Sequence, residues 1–208
     1  MGDSKPPTDM KPTEGLALYS PEALKIMQRV GPDDPKTFQE LIEAGLHVDT
    51  CRWVAMHLPK RYAIWWGLIC ATDASGAEKT DVSSDQLMAW VLNPSESIQM
   101  KLLNETWTDV PESPMEFLSK AVSWSGKSML PAALPVVPAS AEQFGRMVSA
   151  CVELSAAKHC QLDAVESIKR FLEFARAIDS GKLTWQNLDE ADSKVLESAI
   201  PEGLFPLE

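Results

Sequence analysis

The sequence holds few of the side chains from which metal centres and nucleophilic sites are built: three histidines and four cysteines in 208 residues. Cys51, Cys70, Cys151 and Cys160 show no CxxC spacing. His47, Cys51 and His57, even with His159-Cys160, match no zinc pattern, and Cys51 falls on an apolar stripe with His57 outside it. Cysteine packs as a small hydrophobe. The four are therefore read as free thiols, three of them inside apolar helical patterns, which suits a reducing compartment. No GxSxG elbow and no HExxH occurs. A Cys–His nucleophilic pair would need its two side chains within hydrogen-bond reach, which is a matter for the fold.

Long apolar runs are also missing. The run from Tyr62 to Ala71 falls far short of the roughly 20 residues that span a bilayer. Residues 1–20 carry Lys5 and Lys11 but no apolar core, so they are not read as a signal peptide, and a cytoplasmic protein is expected. Positive charge is in deficit. With 19 Lys and Arg against 30 Asp and Glu, the net charge of −11 argues against nucleic acid, whose binding rests on neutralising phosphates. It argues equally against an anionic membrane surface. A basic or neutral protein is the natural complement. Period-2 alternation and 20–50-residue repeats are not found, which removes sheet and solenoid architectures.

What is present is core. Hydrophobic residues make up 45 %, with seven Trp and nine Met, ample for one domain of this length. The stretch Pro59–Thr72, PKRYAIWWGLICAT, is expected to be its centre. Tyr62, Trp65, Trp66, Ile69 and Cys70 share one helix face, and Ile64 and Leu68 line a second. A helix apolar nearly all round is buried on most sides.

Around it the chain reads as helices in series. Residues 1–20, with three prolines and no periodicity, are expected to be a disordered arm. Ser20-Pro21 starts a first helix that Gly31 stops. Asp34-Pro35 starts a second, with Phe38, Leu41 and Ile42 inward, that Gly45 ends. Asp49 or Thr50 caps a third, with Cys51, Val54, Ala55 and Leu58 inward. Residues 73–81 are expected to be a polar loop. It imitates a calcium loop, but Glu78 and Ser84 stand where an EF-hand needs glycine and glutamate. Ser83 and Gln86 form a capping box with Val82 and Leu87 as its staple. Asn93-Pro94-x-Glu96 starts a helix through Ile98, Leu102 and Leu103 towards Trp107. Ser113-Pro114-x-Glu116 starts another through Phe117, Leu118, Ala121 and Val122, with Gly126 as its C-cap.

Residues 127–139 are an irregular crossover, since Pro131, Pro135 and Pro138 forbid helix. Its apolar residues Met129, Leu130, Leu134, Val136 and Val137 imply that it packs over the bundle. Ser140-x-x-Gln143 caps a long helix with Phe144, Met147, Val148 and Cys151 inward. Leu162, Val165, Ile168, Phe171, Leu172, Ala175 and Ile178 stripe the last one, closed by Gly181. Residues 184–208 hold six acidic residues and one lysine beside Trp185, Leu188, Val195, Leu196, Ile200, Leu204 and Phe205. They read either as a docked terminal helix or as an acidic amphipathic segment for a partner. The expectation is an all-α protein: one irregular bundle of about eight or nine helices over 21–183, an arm over 1–20 and an acidic tail over 184–208.

Two stretches carry candidate functional residues. Gly126-Lys127-Ser128 imitates the end of a phosphate loop, but Ala121 stands where that loop needs its first glycine, and a helix precedes it instead of a strand. The segment Trp124–Pro131 is instead a candidate interaction surface. Trp124 and Met129 offer adaptable apolar contact, Ser125 and Ser128 add hydroxyls, and Lys127 is drawn to the negative end of the preceding helix. The other reading is a packed crossover with Trp124 in the core. Lys60 and Arg61 start a helix, where the dipole prefers acids. Either nearby carboxylates or water offset them, or they mark a partner surface.

Several stretches resemble a known family. Lys60–Ala71 is similar to the LPRREAVWWAxxCA stretch of an uncharacterised bacterial domain family, and Ala89-Trp90-Val91-x-x-Pro94 to its AWVxDP element. Ala121–Pro138, AVSWSGKSMLPAALPVVP, resembles its AxFWSGGSMxP…PxVPP segment. Phe171-Leu172 through Gly181 resembles its closing FLxxGxxIAxG pattern. The match spans about Cys51 to Gly181, with Lys127 in place of the second glycine of WSGGS and Ala139 in place of a proline. Members are often encoded beside type VI secretion components. The resemblance therefore implies a non-enzymatic cytoplasmic accessory or adaptor protein of that system, binding a secretion spike component or an effector. Two alternatives stand: an immunity protein that neutralises a basic effector, and a small enzyme with a cleft under the proline-rich loop. The partner-binding candidates are Trp124, Ser125, Lys127, Ser128, Met129, Lys60 and Arg61. The core candidates are Tyr62, Trp65, Trp66, Ile69 and Phe171. No catalytic residue, cofactor or metal ligand is assigned, and the oligomeric state is open.

Overall fold

A computed structural model describes residues 18–76, 82–106, 110–131 and 133–185. Among these are nine α-helices and no strand: α1 Pro21–Val30, α2 Pro35–Glu43, α3 His47–His57, α4 Lys60–Ser75, α5 Val82–Leu92, α6 Glu96–Thr106, α7 Pro114–Trp124, α8 Ala141–Ala157 and α9 Ala164–Asp179. The protein is all-α, as its sequence pattern predicts. The expected arm up to residue 17, the loop residues 77–81, the side chains of Ser83 in the expected capping box and Val82 in its staple, Trp107 and the tail beyond Trp185 lie outside the described residues.

Most helices start where a side chain can take the first free amides. Ser20 Oγ accepts from the Ala23 N–H at 3.2 Å and Asp34 from the Lys36 N–H at 2.9 Å, each with a proline opening the helix. Ser140 and Gln143 form a reciprocal capping box, with bonds of 3.0 and 2.8 Å. Asp163 accepts from the Val165 and Glu166 amides and so starts α9 at Ala164. Leu162 therefore falls before the helix and Val165 in its first turn, and both are exposed, which corrects the expected buried stripe at these two positions.

Two boundaries differ from expectation for reasons of longer range. α3 begins at His47, with no side-chain cap. Asp49 is instead buried within its first turn, where it accepts from the Ser20 N–H at 2.9 Å and the Ser20 hydroxyl at 2.8 Å. Thr50 bonds back to the Leu46 carbonyl. α4 continues through Asp73 to Ser75 and ends at Gly76, whose φ of +65° a side chain rarely adopts. Residues 73–75 are therefore helix and not loop. Asp73 is held there by Arg170, with bonds of 2.8 and 2.9 Å.

The core is organised around α4, which packs against α5, α7, α8 and α9. Every residue from Ala63 to Ala71 is buried, Trp65, Trp66 and Ile69 included. Trp66 is fully enclosed, and its indole N–H donates to the Phe171 carbonyl on α9 at 2.7 Å. Tyr62 is a correction to the expected core set. It is 37 % exposed and lies at the rim against Trp185, ring centroids 4.8 Å apart. A smaller cluster of Ala23, Ile26, Met27 and Leu41 sits under α1 and α2, and Trp53 touches both clusters. No helix among the described residues is long and apolar enough to cross a membrane.

Candidate functional site

α7 ends at Trp124, and the chain then enters the crossover to α8. Ser125, not Gly126, closes the helix: its N–H reaches the Val122 carbonyl at 3.0 Å and its hydroxyl the same oxygen at 2.6 Å. Gly126 does not take the left-handed conformation expected of a C-cap glycine. It serves close approach instead, since a β-carbon there would lie 3.1 Å from Gln99 Oε1. Gln99 on α6 donates to Ser125 Oγ at 2.7 Å, which fixes the turn against its neighbour.

Lys60 and Arg61 are placed by helix ends. Lys60 Nζ donates to the Ser125 carbonyl at 3.3 Å and lies 5.5 Å from the Phe144 ring centroid. Arg61 donates to the Val91 carbonyl at 2.6 Å and the Leu92 carbonyl at 2.7 Å. Two cations at a helix N-terminus are thus offset by the negative carbonyl ends of α7 and α5. The acceptors here are backbone carbonyls, not the carboxylates expected. Arg61 also lies 4.3 Å over the Trp185 ring, which Tyr62 contacts as well, and so anchors the chain as it leaves α9. Lys127, expected at the carbonyl end of α7, points instead toward Glu96 at 3.7 Å with both side chains largely exposed. Such a pair contributes little.

Of the seven partner-binding candidates, then, Lys60, Ser125, Ser128 and Met129 form or adjoin one bonded turn. Trp124 is half-buried beside Lys120, whose Nζ is 5.8 Å from its ring. Lys127 stands free of the turn in water, and Arg61 faces away toward α5.

Ser128 is the hinge pin of the crossover. Its hydroxyl oxygen accepts from both the Leu130 and Val137 amides, each at 3.1 Å, and the Met129 N–H donates to the Val137 carbonyl at 2.7 Å. Residues 129–137 are closed into a loop at its neck, with a turn inside it where the Leu134 N–H meets the Pro131 carbonyl at 2.9 Å. Met129 and Leu130 are half-buried, but beyond them the expectation that this segment packs over the bundle is corrected. Residues 133–138 are all exposed, Val136 at 73 %. The neck bonds hold the loop away from the helices, and its prolines keep it from folding back as helix. Leu134, Val136 and Val137 were not singled out as site residues by sequence reasoning. A signal for them existed: no charged residue occurs between Lys127 and Glu142.

Three of the four cysteines and His159 are built into the packed structure, while Cys160 is an exposed thiol. Burial pushes the Cys51 and Cys70 thiols up and that of Cys151 up to about 12, which leaves them protonated and inert. His159 bonds Asp73 through Nε2 at 3.2 Å, while its Nδ1 accepts from the Gln161 and Leu162 amides. That ring therefore fastens the α8–α9 connection to α4. No group of three or more His, Cys, Asp or Glu placed to hold a metal ion occurs among the described residues.

His47 behaves differently. Its Nδ1 is buried without a partner, and burial, assisted by Lys169 and opposed by Glu166, lowers its pKa below the usual 6.5. The unfolded chain takes up a proton near that value and the folded one resists, so the stability contributed by neutral His47 is complete above it. It is lost as pH falls through the lower folded value. Urea midpoints from about pH 7.5 to about pH 5.5 should fall more for the native chain than for His47→Gln. Parallel pH curves would show that His47 is not a source of acid sensitivity.

The described fold and site define a helical bundle that presents a pinned, apolar, proline-containing loop. The chain belongs to a family of unknown function, DUF6931, whose pattern matches residues 37–179. No curated protein and no solved structure matches it.

Proposed function

We propose that the protein works by binding another protein, as a non-enzymatic accessory or adaptor of a bacterial type VI secretion apparatus in the cytoplasm. The observation that carries the binding role is the loop of residues 129–137, closed at Ser128 with an exposed apolar tip. Monomeric proteins seldom present apolar residues in one contiguous exposed stretch without an interaction that uses them. A loop already closed by hydrogen bonds also loses less entropy on binding than a free one. The secretion context is supported by the family resemblance in the WSGKSMLP and AWV segments, whose carriers are often encoded beside such systems. A spike component or an effector is the partner class that follows.

The test is direct binding. The purified full chain is titrated by calorimetry against each protein encoded next to it. Saturable binding to a spike component or an effector is expected. If none of them binds, the adaptor reading fails. If the bound protein is a toxic effector whose activity the complex abolishes, the protein is an immunity protein instead.

A further inference from the structure

We infer that the loop tip at Leu134, Pro135 and Val136 is a ligand for an apolar groove lined by aromatic side chains on the partner protein. This inference rests on the binding role above and names the chemistry of its surface. Three observations carry it.

The first is charge. The chain is acidic, at −11, and steering of a basic partner would draw on that charge. Yet nothing between Lys127 and Glu142 is charged. The tip has no ion pair to offer, so its contacts must come from apolar burial. The second is the backbone. An extended segment can be recognised by adding it to a sheet edge, which needs a row of free amides. Here Pro135 and Pro138 have none, the Leu134 N–H is spent on the Pro131 carbonyl, and the Val137 N–H is spent on Ser128. Among residues 134–138 only the Val136 N–H is left. Strand addition is thereby excluded, and side chains must carry recognition.

The third is shape. Prolines spaced through an exposed apolar segment are the ligand type that packs on flat aromatic faces, because the ring is rigid and its conformational cost is met before binding. Ser128 adds to this by clamping both ends of the loop. Val136 is the most exposed of its large apolar residues, at 73 %, and is the side chain best placed to enter a groove.

Two measurements on the full chain test the inference. In the first, Val136→Asp and Ser128→Ala are titrated against the adjacent-encoded protein that binds the native chain. Val136→Asp should weaken binding by more than about tenfold, and Ser128→Ala by less, because it loosens the loop without removing its contacts. Raising salt from about 50 mM to about 500 mM should change the native affinity by less than about threefold, since the contact is uncharged. Binding that survives Val136→Asp but collapses in salt would place a basic partner on the acidic surface. The loop inference would then fall while the adaptor reading stands. In the second, the isotope-labelled chain is titrated with N-acetyl-tryptophanamide, a probe that needs no partner. Amide shifts should concentrate at residues 133–137 in the native chain and vanish in Val136→Asp. Shifts absent from the loop, or unchanged in the variant, overturn the inference whether or not any adjacent-encoded protein binds.

Discussion

Trp66→Ala should lower the unfolding free energy by about 3–5 kcal/mol. The side chain is fully buried at the middle of α4, the helix that touches α5, α7, α8 and α9. Its removal leaves a large void that rigid helices on several sides cannot all close. It also strips the Phe171 carbonyl of the indole N–H that meets it at 2.7 Å. A domain of ordinary stability holds about 5–15 kcal/mol in all, so the variant sits close to the point of unfolding. Trp66→Phe separates the two contributions. It keeps most of the ring and loses the hydrogen bond, which by itself accounts for about 1 kcal/mol. Urea unfolding followed by circular dichroism reads both. A midpoint unchanged in Trp66→Ala would show that α4 is not the centre of the fold.

The parts of this fold that were legible in the sequence are those fixed by bonds a few residues long. Ser20 to Ala23, Asp34 to Lys36 and Ser140 to Gln143 are each closed within one turn, and each helix starts where its cap predicts. The burial of α4 was legible because apolar residues on every face leave no side for water. Asp49 was misread as a cap because its partner, Ser20, is 29 positions away. Lys60 and Arg61 look misplaced at a helix start until α7 and α5 bring carbonyls to them across 65 and 30 positions. The same limit applies to the site. The irregularity of the crossover followed from its prolines, but its position did not. Apolar residues in a loop predict packing. Here the Ser128 neck, made with Val137 nine positions on, holds the tip out in water.

Leu118→Ala should cost about 2–5 kcal/mol by itself, and its interaction with Gly67 tests how closely α4 and α7 approach. A β-carbon on Gly67 would lie 2.6 Å from Leu118 Cδ2 and 3.4 Å from Cδ1. Leu118 is fully buried, so that methyl cannot swing aside into solvent. In the native background Gly67→Ala meets two opposed effects. Alanine is better than glycine in a helix by about 1 kcal/mol, while forcing an extra carbon into a packed core costs about 1–3 kcal/mol. The net result should be a loss of up to about 2 kcal/mol. In the Leu118→Ala background the clash is gone, and the new methyl fills part of the void that the shortened side chain leaves. Gly67→Ala should then stabilise, by about 1 kcal/mol. The sign of one substitution thus reverses with its neighbour, a coupling that contact at this site requires and that distant sites do not show. Equal effects of Gly67→Ala in the two backgrounds, read from urea midpoints, would mean that the helices separate enough to admit the carbon. The glycine would then be a weakness of α4 and not the condition of its packing.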